Sequence, residues 1–155
     1  MTKRLEEAPS RRLVLTAAAV TSLSMMIAPH MLQAKPEAVE AELKKLLGDR
    51  KPLEGKIKLD LPAIAENGLV VPLNFEVESP MTAADHVKAV HFFGDGNPLP
   101  GVATFRFTPA SGKASASSRI RLAGTQNIIC VAEMSNGAVH MAKQEIKVTI
   151  GGCGG

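Results

Sequence analysis

The sequence has 155 residues and a mass of 16.4 kDa, which corresponds to one domain with room for a leader or a tail. Hydrophobic residues make up 45% of the chain and charged residues 21%, a balance that excludes an intrinsically disordered protein. Trp and Tyr are absent, which excludes a nucleic-acid surface of stacked aromatic side chains and an antibody-type core built around a Trp.

Residues 1–34 have the features of an export signal. Two adjacent arginines, Arg11 and Arg12, precede an uncharged apolar run at positions 13–27, and Ala34 supplies a small residue suited to cleavage. The run has 15 residues, fewer than the roughly 20 that a helix needs to span a bilayer. The paired arginines favour a twin-arginine signal over an ordinary Sec signal, and we therefore expect a periplasmic protein.

Most of the net positive charge belongs to this leader. It carries four of the 18 basic side chains and two of the 15 acidic ones, so the 121 residues that follow hold 14 basic and 13 acidic side chains. The resulting net charge of +1 offers no electrostatic basis for binding nucleic acid or an anionic membrane. We expect neither partner.

Residues 36–47 show the pattern of an amphipathic helix. Pro36 suits a first helical turn, and Gly48 is a natural stop. Glutamates lie early and lysines late in this segment, as the helix dipole favours. The apolar residues recur at the spacing of a single helix face, and they are Val39, Leu43, Leu46 and Leu47.

From Lys56 onward the apolar residues recur at every second position, which predicts strands. The predicted strands lie at residues 56–61, 71–77, 87–93, 104–108, 115–122, 127–134 and 138–150. About seven short strands separated by Gly and Pro indicate an all-β fold, an immunoglobulin-like antiparallel β-sandwich. We therefore predict a helix and a sandwich over residues 35–150.

Three local signals refine this prediction. Pro72 argues that its strand either lies at an edge or begins there, since Pro cannot donate to a ladder. Ser135-Asn136-Gly137 predicts a hairpin turn. In the last strand the apolar positions change from odd (Val139, Met141) to even (Ile146), which predicts a β-bulge near Lys143.

The chain then reads Gly151-Gly152-Cys153-Gly154-Gly155. Glycine loses the most conformational freedom on ordering, so residues 151–155 are expected to form a disordered arm of about 17 Å at full extension. A catalytic cysteine instead needs a fixed position beside a base. The pattern therefore indicates a thiol on which other proteins act.

The other candidate residues predict structural roles. Cys130 lies mid-strand, and a small buried hydrophobe is favoured over a disulfide with Cys153. His86, His91 and His140 lack metal-ligand spacing and a companion nucleophile, so we expect neither a metal nor a catalytic site. The segment 94–98 is predicted to be a turn and not a calcium loop, because it lacks the spaced carboxylates. A solvated face is favoured over a partner patch for Arg119 and Arg121.

The residues at both ends of the chain carry a family resemblance. The terminal residues 151–155, the strand 147–150 before them, the segment 62–68 and the paired arginines resemble the SoxY family. These proteins are the sulfur-carrier subunits of the periplasmic Sox thiosulfate-oxidising system. The resemblance extends from the leader to the last residue.

This resemblance implies a covalent carrier and no enzyme. Cys153 would be the attachment point, flanked by Gly151, Gly152, Gly154 and Gly155, with no cofactor of its own. A c-type haem enzyme would couple thiosulfate to Cys153 as an S-thiosulfonate. A metal-dependent hydrolase would then release sulfate and leave a persulfide, and a sulfane dehydrogenase would oxidise the remaining sulfur. A second immunoglobulin-like subunit, SoxZ, would form a heterodimer with the carrier.

Two other functions remain open on the sequence. One is an exported β-sandwich interaction module with an incidental tail, although such a module has no use for a thiol between four glycines. The other is a thiol-redox enzyme, which would need a resolving cysteine that no Cys-x-x-Cys motif supplies. An exposed thiol without a resolving partner also predicts Cys153–Cys153 disulfide homodimers in air.

Overall fold

The computed structural model describes residues 36–151. Residues 1–35, which include the predicted leader, and residues 152–155 lie outside the described residues. The elements in chain order are α1 (Pro36–Leu47), β1 (Ile57–Asp60), β2 (Ile64–Asn67), β3 (Val71–Val77), β4 (Val87–Gly94), β5 (Gly101–Arg106), a 3-10 turn (Pro109–Ser111), β6 (Ala114–Ile120), β7 (Gln126–Met134) and β8 (Val139–Ile150).

The strands form two sheets, one of three strands in the order β1-β3-β6 and one of five in the order β2-β8-β7-β4-β5. All neighbouring strands are antiparallel except β2 and β8, which are parallel. Over residues 36–151 the architecture is the predicted immunoglobulin-like sandwich with one short helix. No helix within residues 36–151 is long and apolar enough to cross a membrane.

Alternating apolar residues from both sheets meet in one core. Leu73 and Phe75 of the three-stranded sheet and Phe92 and Ile128 of the five-stranded sheet are all at most 4% exposed. The ring of Phe75 lies 5.0 Å from the rings of both Phe92 and Phe105, measured between centroids. Burial of each such side chain stabilises the fold by about 1.5–3 kcal/mol.

The helix covers the outer face of the five-stranded sheet. Val39 of α1 is 2% exposed and clusters with Phe93, Ile129, Val131 and Val139. In β7 these outward residues alternate with Ile128, Cys130 and Ala132, which belong to the central core. The central strands are therefore apolar on both faces, as a strand covered on both sides must be.

The predicted helix is confirmed at both bounds. The predicted hairpin turn is also confirmed, because Gly137 has a left-handed backbone conformation (φ 87°) and Met134 N donates a 2.9 Å hydrogen bond to Ala138 O. Pro72 lies at the start of β3, opposite β6 alone, because β1 reaches only as far as Asn74. The predicted strand 104–108 is displaced, since β5 begins at Gly101 and ends at Arg106.

The bulge predicted near Lys143 is wrong. The β7–β8 register is continuous from Gln126↔Ile146 to Glu133↔Val139. The apolar phase changes because α1 covers the outer face of β8 at Val139, whereas Ile146 packs into the central core. The irregular registers lie instead in the pairs of β4, between Val87 and Ala89 and between Phe92 and Phe93.

Candidate functional site

The sandwich delivers the chain to its terminal motif along β8. The parallel partner β2 pairs with β8 up to Asn67↔Ile150, and Gly68 N donates a 2.8 Å hydrogen bond to Ile150 O. On the other side, Val148 N donates to Thr125 Oγ1 at 3.0 Å. The backbone is therefore held on both sides until the residue before the glycines.

Gly151 is held as well. A Cβ built on Gly151 would overlap the backbone carbonyl oxygen of Ala123, in the loop between β6 and β7. Backbone cannot move aside as the end of a flexible side chain can, so only glycine fits here. The first glycine of the motif thus permits a close approach, whereas the sequence predicted only flexibility for it.

A buried polar network fixes the loop on which Gly151 rests. Asn97 is 8% exposed and Gln126 is 4% exposed. Asn97 Nδ2 donates to Arg121 O at 3.0 Å, and Asn97 Oδ1 accepts from Ala123 N at 2.9 Å and from Gln126 Nε2 at 2.8 Å. These bonds satisfy a buried amide whose groups would otherwise cost about 1–3 kcal/mol, and they position Ala123.

Asn97 belongs to the predicted turn 94–98, which does lie between strands, linking β4 to β5. In this turn Asp95 accepts two hydrogen bonds of 2.8 Å from Asn127, one from its backbone and one from its side chain. The Asp95 carboxylate therefore supports the start of β7. That this loop helps to position Ala123, against which Gly151 lies, was not apparent from the sequence.

Cys130 is the one cysteine within residues 36–151, and it is free. Its side chain is 0% exposed in the central core, and burial raises the pKa of its thiol to about 12. A thiol with that pKa is almost entirely protonated at neutral pH and so is a poor nucleophile. The prediction of a small buried hydrophobe is confirmed.

The three histidines within residues 36–151 have different surroundings. His86 Nδ1 is 3.1 Å from Thr82 O, and His140 is 5% exposed. Within the described residues no group of three or more His, Cys, Asp or Glu side chains could hold a metal ion. Arg119 and Arg121 are both exposed, as expected of a solvated face.

His91 belongs to a charged network that the sequence did not indicate. Its Nε2 lies 3.5 Å from Glu133 Oε2, and Arg50 Nη2 lies 2.8 Å from Glu133 Oε1. Burial alone would raise the pKa of Glu133, but the hydrogen bond and charge of Arg50, with His91, hold that pKa below its usual range. The network joins the end of α1 to the outer face of the sheet.

Among the predicted site residues, Gly151 is the one that the structure describes. Cys153, Gly152, Gly154 and Gly155 lie outside the described residues, as do Arg11 and Arg12 of the leader. Their predicted roles remain predictions.

The fold and its terminal segment define a class, an immunoglobulin-like sandwich whose last strand continues into a thiol between glycines. The family model of the sulfur oxidation protein SoxY matches residues 43–153, a range that includes Cys153. The chain therefore belongs to the SoxY family.

Solved structures support this assignment. The sulfur carrier protein SoxY from Chlorobium limicola f thiosulfatophilum is similar at 30% identity and a TM-score of 0.61, over 74% of this chain and 98% of that one. A superoxide reductase (neelaredoxin) from Ignicoccus hospitalis is similar at 16% identity and a TM-score of 0.55, over 78% of this chain and 98% of that one. The latter likeness concerns the fold alone. A search of curated proteins finds no match.

Proposed function

We propose that this protein is a covalent sulfur carrier in the oxidation of thiosulfate or related sulfur compounds, and that Cys153 is its attachment point. The observation that carries the proposal is the SoxY family match through Cys153, on a chain whose last strand ends directly before the glycine-flanked thiol. The likeness to a solved sulfur carrier supports it.

The chemistry requires one nucleophilic sulfur. The Cys153 thiolate and thiosulfate lose two electrons to the haem enzyme and form a sulfur–sulfur bond, which gives a cysteine S-thiosulfonate. Water then attacks the terminal sulfonate in the hydrolase, releasing sulfate and two protons and leaving a Cys153 persulfide. An exposed thiol with an ordinary pKa near 8.5 is a few per cent thiolate at neutral pH, which suffices once a partner holds it.

In this proposal the carrier catalyses none of these steps. Its partners are a SoxZ-like subunit in a heterodimer, the c-type haem sulfur transferase, the metal-dependent thiosulfohydrolase and a sulfane dehydrogenase. The protein reaches the periplasm by the twin-arginine route directed by Arg11 and Arg12. Covalent attachment keeps a reactive intermediate from diffusing away, and the four glycines leave the thiol narrow enough to enter an enzyme tunnel.

The test is intact-mass spectrometry of the exported protein from cells supplied with thiosulfate, before and after reduction. We expect reducible sulfur adducts that map to the peptide containing Cys153 and are absent from Cys130. Sulfane on Cys130, or a protein without thiosulfate-dependent adducts, would contradict the proposal.

A further inference from the structure

The described end of the chain limits how far the thiol can travel. Gly151 rests against Ala123 and Ile150 is held by Gly68, so Gly151 is the fixed point from which the reach of Cys153 is measured. At about 3.6 Å per extended residue, the Cα of Cys153 then reaches only about 7 Å from that of Gly151. Any enzyme that acts on Cys153 must therefore bring its surface against the end of the sandwich.

That end is apolar. Three of the six large hydrophobic side chains that are exposed within residues 36–151 lie there: Leu69 is 45% exposed, Val70 55% and Ile150 66%. We call these three residues the collar. Ile150 directly precedes Gly151, and Leu69 and Val70 directly follow Gly68. The N–H of Gly68 donates a hydrogen bond to Ile150 O, which joins the two segments. The carbonyl of Gly68 accepts a 2.8 Å hydrogen bond from Leu122 N.

The collar is ordered and nearly free of charge. Leu69 N donates a 2.8 Å hydrogen bond to Asn67 Oδ1, which fixes the turn that presents Leu69 and Val70. Arg121 is the sole charged residue in the three segments that meet at the arm, 67–70, 121–125 and 148–151. Over the whole chain charged residues make up 21%, so the end of the sandwich differs in composition. The centres of protein interfaces are depleted of charge in the same way.

We propose that the collar is the surface on which the enzymes that modify Cys153 dock. The inference rests on the carrier role proposed above. The occupant is an enzyme with an apolar rim around the mouth of its active site, because Cys153 comes only two residues after Gly151, which directly follows Ile150 of the collar. Apolar contact also suits several enzymes that bind the same surface one after another. Burial of apolar area is not directional and so can stabilise contact with several different enzyme surfaces, whereas matched ion pairs would favour one of them.

The test compares a collar variant with a matched control. Leu69→Gln and Ile150→Thr together make the collar polar at exposed positions and leave the core intact. The control is Leu53→Gln, which alters a leucine of similar exposure, 52%, at the opposite end of β8, where Leu53 pairs with His140. At about 3.3 Å per residue the two sites are about 33 Å apart along the strand.

The assay uses the purified c-type haem enzyme with thiosulfate, varies the carrier concentration and follows loading of Cys153 by intact mass. We expect KM for the collar variant to rise by roughly tenfold or more with little change in kcat, since buried central apolar contacts dominate binding energy. KM for Leu53→Gln should stay within about twofold of wild type. Alkylation of Cys153 by iodoacetamide should be equal in all three proteins, because a small reagent needs no docking.

The outcomes separate this inference from the carrier role. If the wild-type protein is loaded and the collar variant is loaded with an unchanged KM, the carrier role stands and the collar proposal fails. If the collar variant loses its second subunit or changes oligomeric state on size exclusion, the collar is a subunit interface and the proposal also fails. If the wild-type protein is never loaded, both the carrier role and the collar proposal are wrong.

Discussion

At its first residues β8 is covered, and at its last residues it is exposed. Val139 is 1% exposed beneath α1, and Leu53 pairs with this end, its N–H donating to Val139 O at 2.8 Å and its carbonyl accepting from Met141 N at 2.9 Å. Ile150, eleven residues later, is 66% exposed and leads to Gly151. One strand thus begins buried beneath the helix and ends exposed, directly before Gly151.

The difference shows how one strand can be anchored in the sheet at its start and still lead to an exposed Gly151 at its end. The covered end supplies buried apolar area, which stabilises β8 within the sheet. The exposed end supplies little packing, but backbone bonds to β2 and Thr125 keep its direction fixed. The predictions below compare the covered and buried parts of the molecule with its exposed end.

The largest effect is expected from replacing each of the two cysteines in turn. Cys153→Ser should abolish sulfur loading with almost no loss of stability, because a terminal tail contributes little to folding. Cys130→Ala should retain loading and lower the free energy of unfolding by about 1–2 kcal/mol, since it leaves a small cavity. Loading by intact mass and thermal unfolding measure both. Loading that persisted in Cys153→Ser would remove the comparison altogether.

The next effect concerns the width of the arm. Gly152→Val or Gly154→Val should keep the fold and the alkylation rate of Cys153, but partner turnover should fall by roughly one to two orders of magnitude. Branched side chains stiffen the arm and overpack a tunnel fitted to bare backbone, at about 1–3 kcal/mol. Steady-state kinetics with a purified partner enzyme measures this. Normal turnover in both variants would mean that the arm is only a loose tether.

A smaller effect should distinguish the two ends of β8 in stability. Val139→Ala removes two buried methyl groups under α1 and should cost about 2 kcal/mol of unfolding free energy. Thr149→Ala, on the same face of β8 but exposed, should change it by less than about 0.5 kcal/mol. Urea unfolding of both variants provides the comparison. Equal losses would show that α1 does not stabilise the covered end.

The smallest effect is a pH dependence at the covered end, where Glu133 pairs with Val139 across the ladder. Arg50 and His91 hold the pKa of Glu133 below its usual value of 4.5 despite partial burial. A depressed pKa stabilises the fold above pH 4.5, and this contribution is lost as the pH falls through the lower, folded value. In Arg50→Ala that part of the acid dependence should shrink, by less than about 1 kcal/mol for a partly exposed pair.

Unfolding curves of the wild type and of Arg50→Ala between pH 3 and pH 7 at low salt would measure this acid dependence of stability. The same curves at high salt are the control, because salt screens a partly exposed ion pair and should bring the wild type closer to the variant. Identical curves for the two proteins at low salt would show that this ion pair does not contribute to stability.

Local patterns in the sequence predicted the fold wherever the cause was local. The stripe of α1 and its stop at Gly48 lie within one segment, so the helix was predicted at both bounds. The wrong prediction of a bulge in β8 arose because the cause of the pattern lies far away in the sequence. Alternation reports which face is covered, and in β8 the outer face is covered by a helix a hundred residues earlier in the chain. The same shift in the positions of apolar residues arises either from a β-bulge or from a helix that covers the outer face of only part of the strand.

The short strand β2 was missed for a related reason. Ile64 is 62% exposed and Ala65 is buried, so the strand shows no clear apolar alternation. Its partner is found 83 residues later, where Ile64 pairs with Lys147. The terminal motif was recognisable from its residues alone, but the contact of Gly151 with Ala123 depends on a loop that only the folded sandwich brings near.

The position of β8 has a consequence for the order in which the molecule is made. β8 lies inside the five-stranded sheet, between β2 and β7, yet it is the last of the strands within residues 36–151 to leave the ribosome. Until it is synthesised, β2 lacks its sheet partner and β7 exposes an edge, and pairing across such a long chain segment is slow. Cys153 comes three positions after Ile150, so a chain synthesised as far as Cys153 already contains every strand of the described sandwich. A chain interrupted before β8 lacks both the closed sheet and the proposed attachment point.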